Sequence, residues 1–158
     1  MPGRYASSDE LHLERFLPYR LSLLTNTVSA AIADAYASRY ELTIPEWRVI
    51  AVLAHAPGLS AAEVAERTGM DKVAVSRAVT RLLRHRRLKR RQTSADRRRS
   101  RLELSAGGRN VYSRIAPWAL RYERELLKAL EPGEFSVLDA ALSKLLDRAR
   151  AIATGQGS

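Results

Sequence analysis

Along most of this chain apolar residues recur every three or four positions, the period of one face of an α-helix. Leu17, Leu21, Leu24, Val28, Ile32 and Ala35 predict one long helix over roughly residues 18–39. Pro18 falls in its first turn, where a missing N–H is harmless. Ser7 and Glu10, further upstream, have the spacing of a capping box. Thr43 and Glu46 repeat that spacing, with Pro45 between them, and start a second helix that stops at Pro57-Gly58. Ser60 and Glu63 cap a third, short helix over residues 61–68, which Gly69 closes. Asp71 caps a fourth over residues 72–86, with Val75, Val79, Leu82 and Leu83 as its apolar stripe.

The period then changes. Leu102 and Leu104 alternate with Arg101 and Glu103, which is strand patterning. Residues 88–92 and 99–105 flank a polar stretch, so a β-hairpin with its turn near residues 93–98 is expected. Ser105 caps a fifth, long helix running to about residue 130, with Pro117 as a possible kink. Pro132 starts a sixth, whose stripe is Phe135, Leu138, Leu142, Leu145, Leu146 and Ile152. The fold class is therefore mainly α with one two-stranded hairpin.

Composition narrows the function. The chain has 158 residues, 46% of them apolar, enough for a packed core in one domain or two small ones. Zero cysteines exclude disulfides, thiolate zinc sites and thiol nucleophiles. His12, His55 and His85 are scattered and suggest no metal site, and no cofactor is expected. There is no run of 18 apolar residues and no apolar leader at the start, so a cytoplasmic protein is expected. No glycine-rich phosphate loop and no Gly-x-Ser-x-Gly occurs, nor any histidine near paired carboxylates, so an enzyme is not expected. Glu63 and Glu66 read as a cap and a solvated face.

Charge changes the picture most. The net charge is +10, yet residues 67–101 alone hold 14 basic residues against Asp71 and Asp96, a net of +12. The remainder of the chain is slightly acidic. So local an excess points to a polyanion, nucleic acid above all.

The basic block lies on the order helix, short helix, turn, helix, hairpin, which is a winged helix-turn-helix. Ala61, Ala62 and Ala65 permit close packing of the short helix, and Gly69 a sharp turn. With Val75, Val79 and Leu82 buried, the fourth helix presents Lys72, Val73, Ala74, Ser76, Arg77, Thr80 and Arg81 to a DNA major groove. Ser76 can donate or accept, Arg77 can pair with guanine, and Val73 and Ala74 suit a thymine methyl. At the hairpin tip Arg97, Arg98 and Arg99 are candidates for the adjacent minor groove, with Asp96 bracing the wing.

Residues 60–108 resemble the MarR family of bacterial regulators. The recognition-helix pattern appears as Val75-Ser76-Arg77 and Val79-Thr80-Arg81-Leu82. The wing signature appears as Asp96-Arg97-Arg98 through Leu102-Glu103-Leu104-Ser105-Ala106-Gly107-Gly108. The family's usual glycine after the recognition helix aligns with Arg87. The resemblance implies a homodimer, with residues 1–42 and 106–158 as a helical dimerisation domain around a DNA-binding domain at 43–105. It also implies a pseudo-palindromic operator in double-stranded DNA, and a repressor released by a small ligand, of aromatic or phenolic acid type. Leu17-Pro18-Tyr19-Arg20-Leu21 is similar to the start of members that respond to hydroxycinnamate-type compounds. Candidate effector-pocket residues are Arg15, Tyr19, Arg20, Trp47, Arg48, His55, Trp118 and Tyr122, each also able to serve in core packing or surface ion pairs. The alternative is an effector-independent winged-helix nucleic-acid-binding protein.

Overall fold

The computed structural model describes residues 11–92 and 100–155. The Ser7–Glu10 capping box and the hairpin turn at 93–98 lie outside them. After a 3-10 turn (Leu13–Arg15), the elements are α1 (Leu17–Asp34), α2 (Ala37–Tyr40), α3 (Ile44–His55), α4 (Ala61–Thr68), α5 (Lys72–Arg84), β1 (Leu88–Gln92), β2 (Ser100–Leu104), α6 (Ala106–Leu127) and α7 (Glu134–Ala153). The chain is mainly α-helical with one antiparallel hairpin, a winged helix-turn-helix. Two compact units divide at Pro117, inside α6.

The local signals act as their chemistry requires. At both Thr43–Glu46 and Ser60–Glu63 the hydroxyl accepts from the glutamate N–H and the carboxylate accepts from the cap N–H. Asp71 accepts from the N–H of Ala74 at 2.8 Å. Gly69 closes α4 at φ +66°, a left-handed conformation that glycine adopts without a Cβ clash.

The core of the first unit lies between α3, α4, α5, the hairpin and the first half of α6. Val49, Ile50, Leu53, Val64, Val75, Val79, Leu82, Leu88, Leu102, Leu104, Val111 and Ile115 are buried together. Leu88 pairs with Leu104 and Arg90 with Leu102 across the hairpin. Leu59 adds a third rung, since Leu102 N–H donates to its carbonyl and Gly58 N–H donates to that of Leu102. The wing is thereby stitched to the loop before α4.

Four expectations are corrected. The predicted helix over 18–39 is broken, because α1 ends at Asp34 and the chain turns to bury Tyr36 against Trp47 before α2. Ala61 and Ala62 are exposed, and of the three alanines only Ala65 packs inside. The last helix starts after Pro132, at Glu134, because Gly133 takes φ +89° as its cap. The left-handed residue after the recognition helix is Arg86, at φ +54°, and not Arg87.

Arg86 and Arg87 end α5 in a Schellman motif. Arg87 N–H donates to Leu82 O and Arg86 N–H to Leu83 O. Strain at Arg86 is offset by Ser105, whose hydroxyl donates to Arg86 O at 2.6 Å and whose N–H donates to Arg87 O at 3.0 Å. The Arg87 guanidinium donates to Tyr40 O at the end of α2. A Cβ on Gly108 would sit 2.0 Å from Arg87 O, so α6 can begin where it does only because that residue is glycine.

Two substitutions at this junction should shift stability in opposite directions in urea denaturation. Gly108→Ala forces backbone apart and should destabilise by about 2 kcal/mol or more. Arg86→Gly relieves a left-handed side chain and should stabilise by about 0.5–1 kcal/mol.

Candidate nucleic-acid interface

The recognition helix α5 is sharply two-sided. Val75, Ala78, Val79 and Leu82 are buried, with Val75 and Leu82 at zero exposure. Opposite them, the i, i+4, i+7, i+11 spacing sets Val73, Arg77, Thr80 and Arg84 in one exposed row. Val73 is 59% exposed, unusual for a valine without a contact to make. Lys72 and Ser76 flank the row on one side and Arg81 on the other, all exposed, while Ala74 is half-buried. Thr80 already donates its hydroxyl to Ser76 O, which leaves its oxygen as an acceptor. Arg77 makes no ion pair among the described residues. The sequence reading missed Arg84, although its spacing from Arg77 and Thr80 would have found it.

Several members of the basic block serve the scaffold. Arg81 Nε donates to Oε1 of the buried Glu46 at 3.1 Å. Arg101 donates to Gly58 O at 3.1 Å and to Glu63 at 3.0 Å, pinning β2 to the start of α4. Lys89 and Arg91, on β1, both reach Glu103 across the hairpin, at 3.3 and 3.2 Å. Lys72, Arg77, Arg84, Arg86 and Arg90 remain as exposed cations along the recognition helix and the first wing strand. Asp96, Arg97, Arg98 and Arg99 lie outside the described residues. The Arg101–Glu63 pair braces the wing at its base, a contact that sequence spacing did not suggest.

The effector candidates fall into several places. Arg15 lies in the 3-10 turn, and Tyr19 and Arg20 are exposed on α1. Trp47 and His55, on α3, belong to a row of rings running Tyr36, Trp47, Tyr112, His55, with successive centroids 5.7, 6.0 and 5.8 Å apart. The Tyr112 hydroxyl and His55 Nε2 share a hydrogen bond at 2.9 Å, so His55 is satisfied, though at the surface. Burial pushes the Tyr36 phenol up to about 12, only partly opposed by the charge of Arg48. Arg48 donates to Ser29 on α1 at 3.1 Å. Tyr36 and Tyr112 were not anticipated; only the fold brings them beside Trp47. In the second unit Trp118 and Tyr122 stack at 5.7 Å beside Arg121 and Arg124. Among the described residues no group of His, Asp and Glu could hold a metal ion, and no helix is long and apolar enough to cross a membrane.

Comparison with known proteins agrees with this geometry. A MarR-family sequence model matches residues 40–99, from the end of α2 to the residue before β2. No curated protein matches the sequence. The fold is similar to a MarR/EmrR family transcriptional regulator from Acinetobacter sp. ADP1, with a TM-score of 0.81 and 27% identity over 89% of this chain and 99% of that one. It is also similar to the PcaV transcriptional regulator of Streptomyces coelicolor, solved with its natural ligand, with a TM-score of 0.74 and 25% identity over 90% and 99% of the two chains. BpsR of Bordetella bronchiseptica, whose DNA binding is regulated by 6-hydroxynicotinic acid, shares the fold, with a TM-score of 0.76 and 22% identity over 87% and 98%. Residues 40–99 thus match the MarR family, and the described fold is similar to that of solved MarR-family transcriptional regulators, which supports a DNA-binding regulator.

The carboxylates that hold the wing make its stability depend on pH. Hydrogen bonds from Ser60, helped by Arg101, hold the Glu63 carboxyl below the usual carboxylate range. At Glu103 desolvation opposes ionisation, but Arg91 and Lys89 outweigh it and the carboxyl is again lowered. A depressed folded-state value adds stability above the unfolded value of about 4.3, and that stability is lost as pH falls through the folded value. Thermal unfolding followed from pH 7 downward should show a melting temperature that drops below about pH 4.3. The drop should be shallower in the Glu63→Gln, Glu103→Gln double variant.

Proposed function

We propose that this protein is a homodimeric repressor that reads a pseudo-palindromic operator in double-stranded DNA and is released by a small aromatic acid. The observation that carries the reading is the exposed row on α5, where an apolar residue, a hydroxyl and two arginines face away from a fully buried stripe. A helix of that kind fits the major groove with its N-terminal residues at base edges. Lys72, Val73, Ala74, Ser76, Arg77 and Thr80 read bases, while Arg81, Arg84 and wing residues Arg97, Arg98 and Arg99 meet the backbone or the minor groove. Asp96 braces the wing tip. Residues 43–105 form the reading domain, and residues 1–42 and 106–158 the dimerisation domain, acting in the cytoplasm.

The dimer is supported by apolar surface. Phe135, Leu138, Leu142, Leu145 and Leu146 of α7 are each 41–52% exposed, and Leu17, Leu21 and Leu24 of α1 are similarly open. Contiguous leucine faces of this size mark an association surface. Two copies joined there set their recognition helices on half-sites about 34–36 Å apart. A ligand preferring the arrangement that misfits the operator would release DNA by population shift. The row of rings with Arg48 beside it suits a planar carboxylate, and the regulation of BpsR by 6-hydroxynicotinic acid, an aromatic acid, favours the same class.

Binding titrations on operator and scrambled duplexes test the reading. Log affinity should fall with log salt at about −0.9 per phosphate neutralised, with about 6–10 phosphates per dimer; a flat profile rejects it. Arg77→Ala should lose about 1–3 kcal/mol more on operator than on scrambled DNA. Arg98→Ala should weaken both alike, because the minor groove carries a degenerate code. Equal losses for Arg77→Ala would remove it from base reading.

Deleting residues 132–158 removes none of the basic block and should nevertheless abolish operator binding. Light scattering should then report monomers or aggregates. A truncated protein that remains dimeric and binds normally contradicts the dimer.

A further inference from the structure

Glu46 is the one fully buried carboxylate among the described residues, 2% exposed, and its two oxygens do different work. Oε2 accepts from the N–H and the hydroxyl of Thr43, at 2.8 and 2.7 Å, and so completes the cap of α3. Oε1 accepts from Arg81 Nε at 3.1 Å, on the recognition helix 35 residues away. The Arg81 side chain is 46% exposed. The cap alone would be served by a neutral glutamine, and burying a carboxylate carries a desolvation penalty that a cap does not require. Here the anion is shielded and the cation stands on the flank of the groove-facing row, one turn beyond Arg77.

We propose that Glu46 is a positioning residue that aims Arg81 at a DNA phosphate. This rests on the reading of α5 as the recognition helix. A guanidinium is planar and carries five N–H donors, of which Nε supplies one. Fixing Nε on a buried carboxylate fixes the plane of the whole head, and leaves the four N–H groups of the two terminal nitrogens for a bidentate phosphate contact. Rotamer freedom that binding would otherwise remove is already lost in the free protein. The contact carries no sequence information, so it sets register and affinity, not base preference.

The two charges make opposite predictions about Glu46. Electrostatics alone says that removing an anion beside DNA tightens binding. Positioning says that it weakens binding, because Arg81 is set free to wander. Binding of Glu46→Gln to operator and scrambled duplexes, over a salt series and with folding checked by circular dichroism, decides between them. About a tenfold loss per half-site, and so about a hundredfold for the dimer, is expected on both duplexes alike, the value of one charge-assisted hydrogen bond in each half-site. The salt slope should shrink toward that of Arg81→Ala, which lacks about one phosphate contact per subunit. A role confined to stability would lower the melting temperature and leave the slope of the folded protein unchanged. Because Arg81→Ala strands a buried carboxylate and can unfold the domain, Arg81→Lys is the second variant. It keeps the ion pair, cannot hold carboxylate and phosphate in one plane, and should show the same loss with near-normal stability. Unchanged or tighter binding by folded Glu46→Gln, or full affinity in Arg81→Lys, overturns the proposal. If the unaltered protein binds no duplex at all, it is the reading of α5 that fails.

Discussion

The wing and the start of α6 both depend on how the recognition helix ends. At Arg86 and Arg87 the chain leaves α5, turns left-handed and becomes β1 within three residues. Their carbonyls are turned away from the helix and must find donors elsewhere, as buried backbone groups must. Ser105 supplies both, and in doing so fixes the far end of β2 beside the near end of β1. The same serine accepts from Gly108 N–H at 3.1 Å and caps α6. One side chain thus closes the hairpin, ends one helix and begins another. The left-handed arginine is tolerated because the turn around it is over-determined, the usual condition for strain to persist.

Charge on this domain has two uses that composition cannot separate. A block with a net of +12 reads as one polyanion-binding surface, yet Arg81, Arg101, Lys89 and Arg91 each meet a carboxylate outside the block. Glu46, Glu63 and Glu103 come from α3, α4 and β2, elements that the fold alone brings alongside. Exposed ion pairs of this sort contribute little energy singly. Their effect here is directional: Arg101 holds the base of the wing, and the pairing of Lys89 and Arg91 on Glu103 leaves Lys72, Arg77, Arg84, Arg86 and Arg90 as exposed cations without an ion pair among the described residues.

How much of this was legible in sequence follows from the range of each interaction. Capping boxes act over three residues, so Thr43–Glu46 and Ser60–Glu63 could be read directly, as could the alternation of Leu102 and Leu104. The buried stripe of α5 follows from its period. The break at residues 35 and 36 was hidden, because Tyr36 leaves the helix to reach Trp47, which no local rule marks. The left-handed position moved by one, from Arg87 to Arg86, since the helix end depends on where Ser105 stands. Ala61 and Ala62 looked like packing residues by size alone. Glu63 read as a cap, and its second role with Arg101 needed the hairpin to be folded first. The exposed face of the recognition helix was legible except at Arg84, passed over although it completes the row, and at Ala74, which is half-buried.

Helix α3 joins these levels. Glu46 and Trp47 are consecutive, so their side chains leave α3 in directions about 100° apart. One meets the recognition helix through Arg81, and the other stacks on Tyr112 and lies tilted against Tyr36. The stretch that carries the aromatic row therefore also carries the anchor of α5. A small rotation of α3 would move both, because a close-packed interior shifts between discrete arrangements and does not deform smoothly. For an effector at the proposed aromatic row to act on DNA, it must bind one rotation of α3 more tightly than another. On the proposed role of Arg81, that preference would reach the DNA backbone through its guanidinium, and reciprocity would then have bound DNA weaken the effector by the same factor.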